Sequence, residues 1–181
     1  CCGALHAHSG LTTQARAAAE QLIGALRRDI PILVNSAGCG AAMKEYGHLL
    51  GTAEAAAFSA RVFDVQEWLA GHMDRLPKVA PLDIRVAIQD PCHLRHVQQV
   101  DDEVRSVLAP FVRELVVLDD DGLCCGSGGS YSLLQPKMAG EVRARKIESI
   151  QRSRPDVVAS ANPGCSLNLA AGGMPARHPM M

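Results

Sequence analysis

Aromatic residues are almost missing from this chain: Phe, Trp and Tyr together make up 3% of its 181 residues. A core must then be built from Ala, Leu, Val and Ile, which the 48% hydrophobic content supplies. Excess positive charge is missing too. Lys and Arg number 18 against 19 Asp and Glu, a net charge of -1 with no basic stripe, which argues against nucleic acid as a partner. No apolar run approaches the roughly 18–20 residues that cross a bilayer, and no secretory leader pattern is visible. No Cys-x-x-Cys is present, which weakens a thioredoxin-like reading. The chain opens on Cys1-Cys2-Gly3 without Met, so a longer parent polypeptide is expected.

What is abundant is cysteine. Seven cysteines are many for this length, and the odd count fits poorly with a secreted disulfide scaffold. An intracellular chain whose thiols serve a metal or redox chemistry is the expectation.

The cysteines fall into two copies of one pattern. The first runs from Cys1-Cys2-Gly3 through an Ala-rich helical stretch, Thr13 to Arg28. It continues through an apolar strand, Ile30 to Asn35, to a loop holding Cys39. The second runs from Cys124-Cys125-Gly126 through a helical stretch, Leu134 to Ile150, and a strand, Pro155 to Asn162, to a loop holding Cys165. Cys2 and Cys39 are 37 positions apart, Cys125 and Cys165 are 40. The second copy also has a front half. It comprises a strand, Ile84 to Asp90, ending at Cys92-His93, a helix from Asp101 to Phe111, and a strand, Leu115 to Leu118. Between the copies, Ala53 to His72 reads as one helix with Val62, Val65, Trp68 and Leu69 on its buried face.

Alternating strands and helices imply an α/β fold with two related lobes, 1–75 and 82–181. The strands should be mostly parallel, with flanking helices, and the turn-rich Leu76 to Pro81 should separate the lobes. Ligands in such folds gather at the carboxyl ends of strands, so Cys39, Cys92, Cys124 and Cys165 are expected there.

Adjacent cysteines have Cα atoms about 3.8 Å apart, too close for an unstrained disulfide. Two adjacent thiolates can instead serve one metal or two irons of one cluster. The loop Gly122 to Ser130 is rich in Gly and Ser and can aim backbone N–H groups at anionic sulfur. Gly126 and Gly128 are its candidate cofactor contacts, and His93 is a candidate beside Cys92. Structural zinc, inert buried thiols and a thiol–disulfide pair stay open on the residues alone. His6, His8 and His96 read as solvated or hydrogen-bonded, and Asn35 and Asn162 as local backbone partners. Tyr131 is expected beneath the glycine loop, and Lys44 and Glu45 as a solvated pair.

Together these motifs resemble the cysteine-rich CCG family, which includes the B-type subunits of heterodisulfide reductase, lactate-utilisation proteins and glycolate oxidase iron–sulfur subunits. The pattern is a Cys, a Cys-Cys-Gly some thirty residues on, and a later Cys; here Cys92 precedes Cys124 by 32 positions. The stretches Cys1 to His6, Ser36 to Gly40, Lys44 to Gly47, Cys124 to Ser127 and Asn162 to Cys165 are most similar to the glycolate oxidase type. Ala42 and Asn168 stand where the heterodisulfide branch has the last Cys of Cys-x-x-Cys. The resemblance implies an iron–sulfur cluster, of 4Fe–4S type, on Cys92, Cys124, Cys125 and Cys165. It implies a partial second set in Cys1, Cys2 and Cys39. It further implies FAD on a flavoprotein partner subunit, a quinone-type acceptor, and a cytoplasmic place, peripheral to the membrane through the complex.

Overall fold

The structure, a computed structural model, describes residues 1–120 and 122–181. The chain forms two compact units, Cys1–Val65 and Gln66–Met181.

The first unit opens with α1 (Ala4–His8) and α2 (Thr12–Ala25), followed by β1 (Ile32–Val34). Three short helices follow, α3 (Ala37–Lys44), α4 (Tyr46–Leu50) and α5 (Ala53–Ser59), then β2 (Val62–Asp64). β1 and β2 pair in parallel, Ile32 opposite Val62 and Val34 opposite Asp64. Small residues let α2 approach closely: Ala15 and Ala19 are buried, with Ile23 a turn further on. The two large rings of the core, Tyr46 and Phe58, stack with centroids 5.5 Å apart among Ile23, Met43 and Val62.

The stretch Ala53 to His72 is not one helix. Thr52 caps α5, its Oγ1 accepting the Ala55 N–H at 3.2 Å, and the helix stops at Ser59. Val62 and Phe63, good strand formers, then find ladder partners in β1. Only after them does a helix resume, α6 (Val65–Ala70). The helical spacing of Val62, Val65 and Leu69 straddles a strand and a new helix, and so marks no single element.

The second unit continues with a 3-10 turn, Met73–Arg75, and the longest strand, β3 (Leu82–Ile88). The turn-rich Leu76 to Pro81 thus lies inside this unit. A π-helical turn, His93–Gln98, leads to α7 (Asp101–Leu108), a 3-10 turn Ala109–Phe111, and β4 (Val112–Val116). Then come α8 (Tyr131–Leu134), α9 (Pro136–Ser153), β5 (Val157–Ala159) and α10 (Pro163–Ala171). Pro136 divides α8 from α9, since proline suits a first helical position but supplies no N–H to extend the turn before it. The sheet order is β4-β3-β5 with every pair parallel, so β3 is central and buried at its carboxyl end. All strand pairing among the described residues is parallel, in keeping with an α/β fold.

Two side chains tie the carboxyl ends of β3 and β5 together. Ser160 Oγ donates to Gln89 Oε1 at 2.7 Å, and Gln89 Nε2 donates to the Asp90 carbonyl at 2.7 Å. Both residues are buried, so each bond is made away from competing water. The pair fixes the edge where the chain runs on to Cys92 and Cys165.

Candidate metal centre

Each cysteine of the second unit arrives on a different local device. Cys92 caps the π-helical turn and follows buried Pro91, whose carbonyl accepts the N–H groups of Leu94 and Arg95. Arg105 on α7 steadies the approach through Asp90 at 2.6 Å. Cys124 and Cys125 lie on the loop after β4. Cys165 sits in the first turn of α10, not in a loop. Cys39 likewise sits in the first turn of α3. Gly38 and Gly164 disguise both turns as loops, because glycine is a poor helix former.

The four sulfurs of the second unit touch in sequence, Cys92 to Cys124 to Cys125 to Cys165. Their acidities alternate along that chain. The Cys124 thiol is pushed down by its contacts with Cys125 and Cys92, and Cys165 by its contact with Cys125. Cys92 is pushed up by Cys124, and Cys125 by Cys124 and Cys165, with burial adding to both. The neighbouring thiols thus favour the anionic form of Cys124 and Cys165, and a metal that takes all four sulfurs displaces the protons that remain.

Donors from the chain surround these sulfurs. The Gly126 N–H donates to Cys124 Sγ at 3.3 Å, and Asn162 Nδ2 to Cys165 Sγ at 3.4 Å. The backbone N–H of His93 meets Cys92, and that of Ser127 meets Cys125. His93 Nδ1 lies 3.5 Å from Cys92 Sγ, so its ring reaches the site. Gly126 is required: its φ is +84°, and a Cβ there would stand 2.5 Å from the Ala139 carbonyl oxygen of α9. Gly128, at φ +53°, turns the loop beside Tyr131. Tyr131 lies against Gly128 of the loop and is 45% exposed.

The first unit repeats half of this. Cys2 and Cys39 are in contact, Cys2 pushed up and Cys39 lowered to about 6, chiefly by each other. The Ala4 N–H meets Cys2 as Ser127 meets Cys125, and Ser36 bonds Cys39 as Asn162 bonds Cys165. Gly3, at φ +79°, sits 3.0 Å below the Ala15 carbonyl by the same measure as Gly126. Cys1 is exposed.

Sequence reasoning missed the roles of Asn162 and Asn168. Asn162 is the N-cap of α10, yet its amide turns to sulfur and caps no helix N–H. Asn168 donates to the Cys125 carbonyl at 2.7 Å and accepts from Arg143, bracing the Cys-Cys turn from α10. The signal was available in Asn-Pro-Gly-Cys, which sets a capping residue three positions before a thiol.

Among the described residues, no three Cys, His, Asp or Glu side chains are gathered as a site for a single ion. The donor set is instead four thiol groups in a row with N–H groups aimed at them. That chemistry suits a sulfur-ligated cluster, whose negative charge such donors stabilise.

The chain is similar to known proteins over nearly its whole length. The Glycolate oxidase iron-sulfur subunit of Escherichia coli (strain K12) is 35% identical over 185 residues, 96% of this chain and 45% of that protein. The Probable glycolate oxidase iron-sulfur subunit of Bacillus subtilis (strain 168) is 33% identical, covering 95% of this chain and 41% of its own length. Lactate utilization protein A of Geobacillus kaustophilus (strain HTA426) is 28% identical, over 98% of this chain and 76% of its own length. The chain therefore spans less than half the length of the two glycolate oxidase relatives. The cysteine-rich domain model, CCG, matches residues 1–44 and 86–170, which take in all seven cysteines and the glycine loop. On that match, the chain belongs to the cysteine-rich (CCG) domain family.

Proposed function

We propose that this chain is the cysteine-rich part of an iron–sulfur electron-transfer subunit in a flavin-linked oxidoreductase acting on glycolate or a similar 2-hydroxy acid. The observation that carries the reading is the contact of Cys92, Cys124, Cys125 and Cys165, four sulfurs from three separate stretches of chain. The names of the glycolate oxidase relatives supply the reaction class. A 4Fe–4S cluster on these four sulfurs, when bound, supplies one-electron storage and relay.

The chain's own residues do the rest. Cys125 and Cys165 are buried and keep water from their side of the site, while Cys92 and Cys124 are half-buried. The N–H groups of His93, Gly126 and Ser127 and the Asn162 amide hold charge on the sulfurs. Cys1, Cys2 and Cys39 form a related set in the lobe 1–75, and the complete set belongs to the lobe 82–181. Electrons come from FAD on a flavoprotein partner and leave to a quinone-type acceptor, and this chain alone oxidises no substrate. Among the described residues no helix is long and apolar enough to cross a membrane. A cytoplasmic complex resting on the inner face of the membrane accommodates that.

The test is purification under anaerobic conditions, with metal analysis, visible absorption and EPR after dithionite reduction. About four irons and a reducible EPR signal, both lost in Cys124→Ser, are expected. A colourless protein with one zinc per chain would overturn the proposal in favour of a zinc staple.

A further inference from the structure

Helix α9 places one face over the Cys-Cys-Gly turn. Ala139 lies above Gly126, Arg143 reaches Asn168, and Ile150 packs against Cys125 and Cys165. These positions are three to four apart, or twice that, the spacing of one helical face. The remaining member of that face is Lys146. It is 1% exposed, and among the described residues it is the one buried cationic side chain. Its Nζ lies 2.6 Å from Asp120 Oδ2, and Asp120 is only 7% exposed.

A buried ammonium is expensive to keep, and a buried ion pair is often no more stable than an apolar replacement. Stability alone is therefore a weak reason for Lys146. The neighbourhood offers a stronger one, because the residues flanking Lys146 on this helix, Ile147 and Ile150, pack in one cluster with Cys124, Cys125 and Cys165.

We propose that Lys146 is the charge-compensating residue of the cysteine site, raising the reduction potential of the cluster held there, with Asp120 as the carboxylate that moderates it. This rests on the reading of the four cysteines as cluster ligands. A further observation supports it. Asp120 is also built into the approach to the site, its Oδ1 accepting the Gly122 N–H at 3.1 Å and its carbonyl the Leu123 N–H at 3.0 Å. A positive charge here favours the reduced, more negative state of a cluster, and a negative charge opposes it.

The competing explanation is that the pair only staples α9 to the loop. The same helix already makes such a grip next door, where Arg152 and Ser149 hold Asp119 at 2.7–2.9 Å on the exposed rim. That grip provides a control. The experiment is an EPR-monitored redox titration at pH 6.5 of wild type, Lys146→Gln, Asp120→Asn and Asp119→Asn, with iron content and circular dichroism recorded for each. Lys146→Gln should move the midpoint potential down, Asp120→Asn should move it up, and Asp119→Asn should leave it in place while lowering the melting temperature. Asp120→Asn keeps the size of the side chain and its acceptor for Gly122. If Lys146→Gln fails to hold iron, the direction of the Asp120→Asn shift decides alone. Shifts of the same sign, or none with iron retained, would overturn the role of Lys146 and leave the cluster reading standing. A wild type without iron would sink both.

Discussion

Cys39 shows how far two sulfurs alone can alter chemistry. With Cys2 donating to it and Ser36 adding a second bond, its thiol is lowered from 9.0 to about 6. A thiolate is the reactive form, so alkylation should be fast above pH 6 and fade below it. In iron-free protein, peptide mapping after iodoacetamide should give a half-maximal rate for Cys39 near pH 6. Cys2→Ala should move that midpoint up towards 9, because the largest cause of the shift is gone. An unchanged midpoint would mean that Ser36 and the helix terminus hold the charge without Cys2. The residue types and spacing made the meeting of Cys92, Cys124, Cys125 and Cys165 legible, because each follows a strand of one parallel sheet. Asn162 and Lys146 were not legible. An Asn before Pro-Gly reads as an ordinary cap, and a Lys among the many charges of α9 reads as solvated.

Helix α9 is the element on which the site leans, since it meets the Cys-Cys-Gly turn through Ala139, the Asp119–Asp120 loop through its last turns, and the cysteine core through Ile147 and Ile150. It ends on Arg154 with φ +49°, a left-handed backbone that glycine adopts more readily. The Arg154 carbonyl accepts from Arg85, a bond to the backbone that any residue preserves. Arg154→Gly should therefore raise stability by roughly 0.5–1 kcal/mol, read as a higher urea midpoint with an unchanged slope. A lower midpoint would show that the Arg154 side chain matters more than its backbone strain. Helix and strand existence was clear in the sequence wherever apolar periodicity was strong, as in α2, α7, β3 and α9. It failed at β2, where three residues gain their identity only by pairing with β1, a long-range contact that no local pattern encodes.

The two units, Cys1–Val65 and Gln66–Met181, share a Cys-Cys-Gly turn, a following helix, a short parallel strand and a cysteine in the first turn of the next helix. They differ in how many sulfurs meet: two in the first and four in the second. If the four are cluster ligands, the second unit should depend on metal far more than the first, because ligation ties three stretches of chain together only there. Trp68, the single tryptophan, lies in the second unit stacked on His72 and offers a probe confined to it. Removing iron with a strong chelator should lower the fluorescence melting temperature. A loss of about 2 kcal/mol corresponds to roughly 4–8 °C for a chain of this size. Coincident melts before and after chelation would show that the metal adds nothing to the fold.

Sulfur atoms already within reach of one another are also partners for oxidation. In air, the Cys125–Cys165 and Cys92–Cys124 neighbours would be candidates to close as covalent bridges before iron and sulfide could be loaded. Aerobically prepared protein should then refuse reconstitution until a reductant reopens those bonds, and a count of accessible thiols would track its recovery.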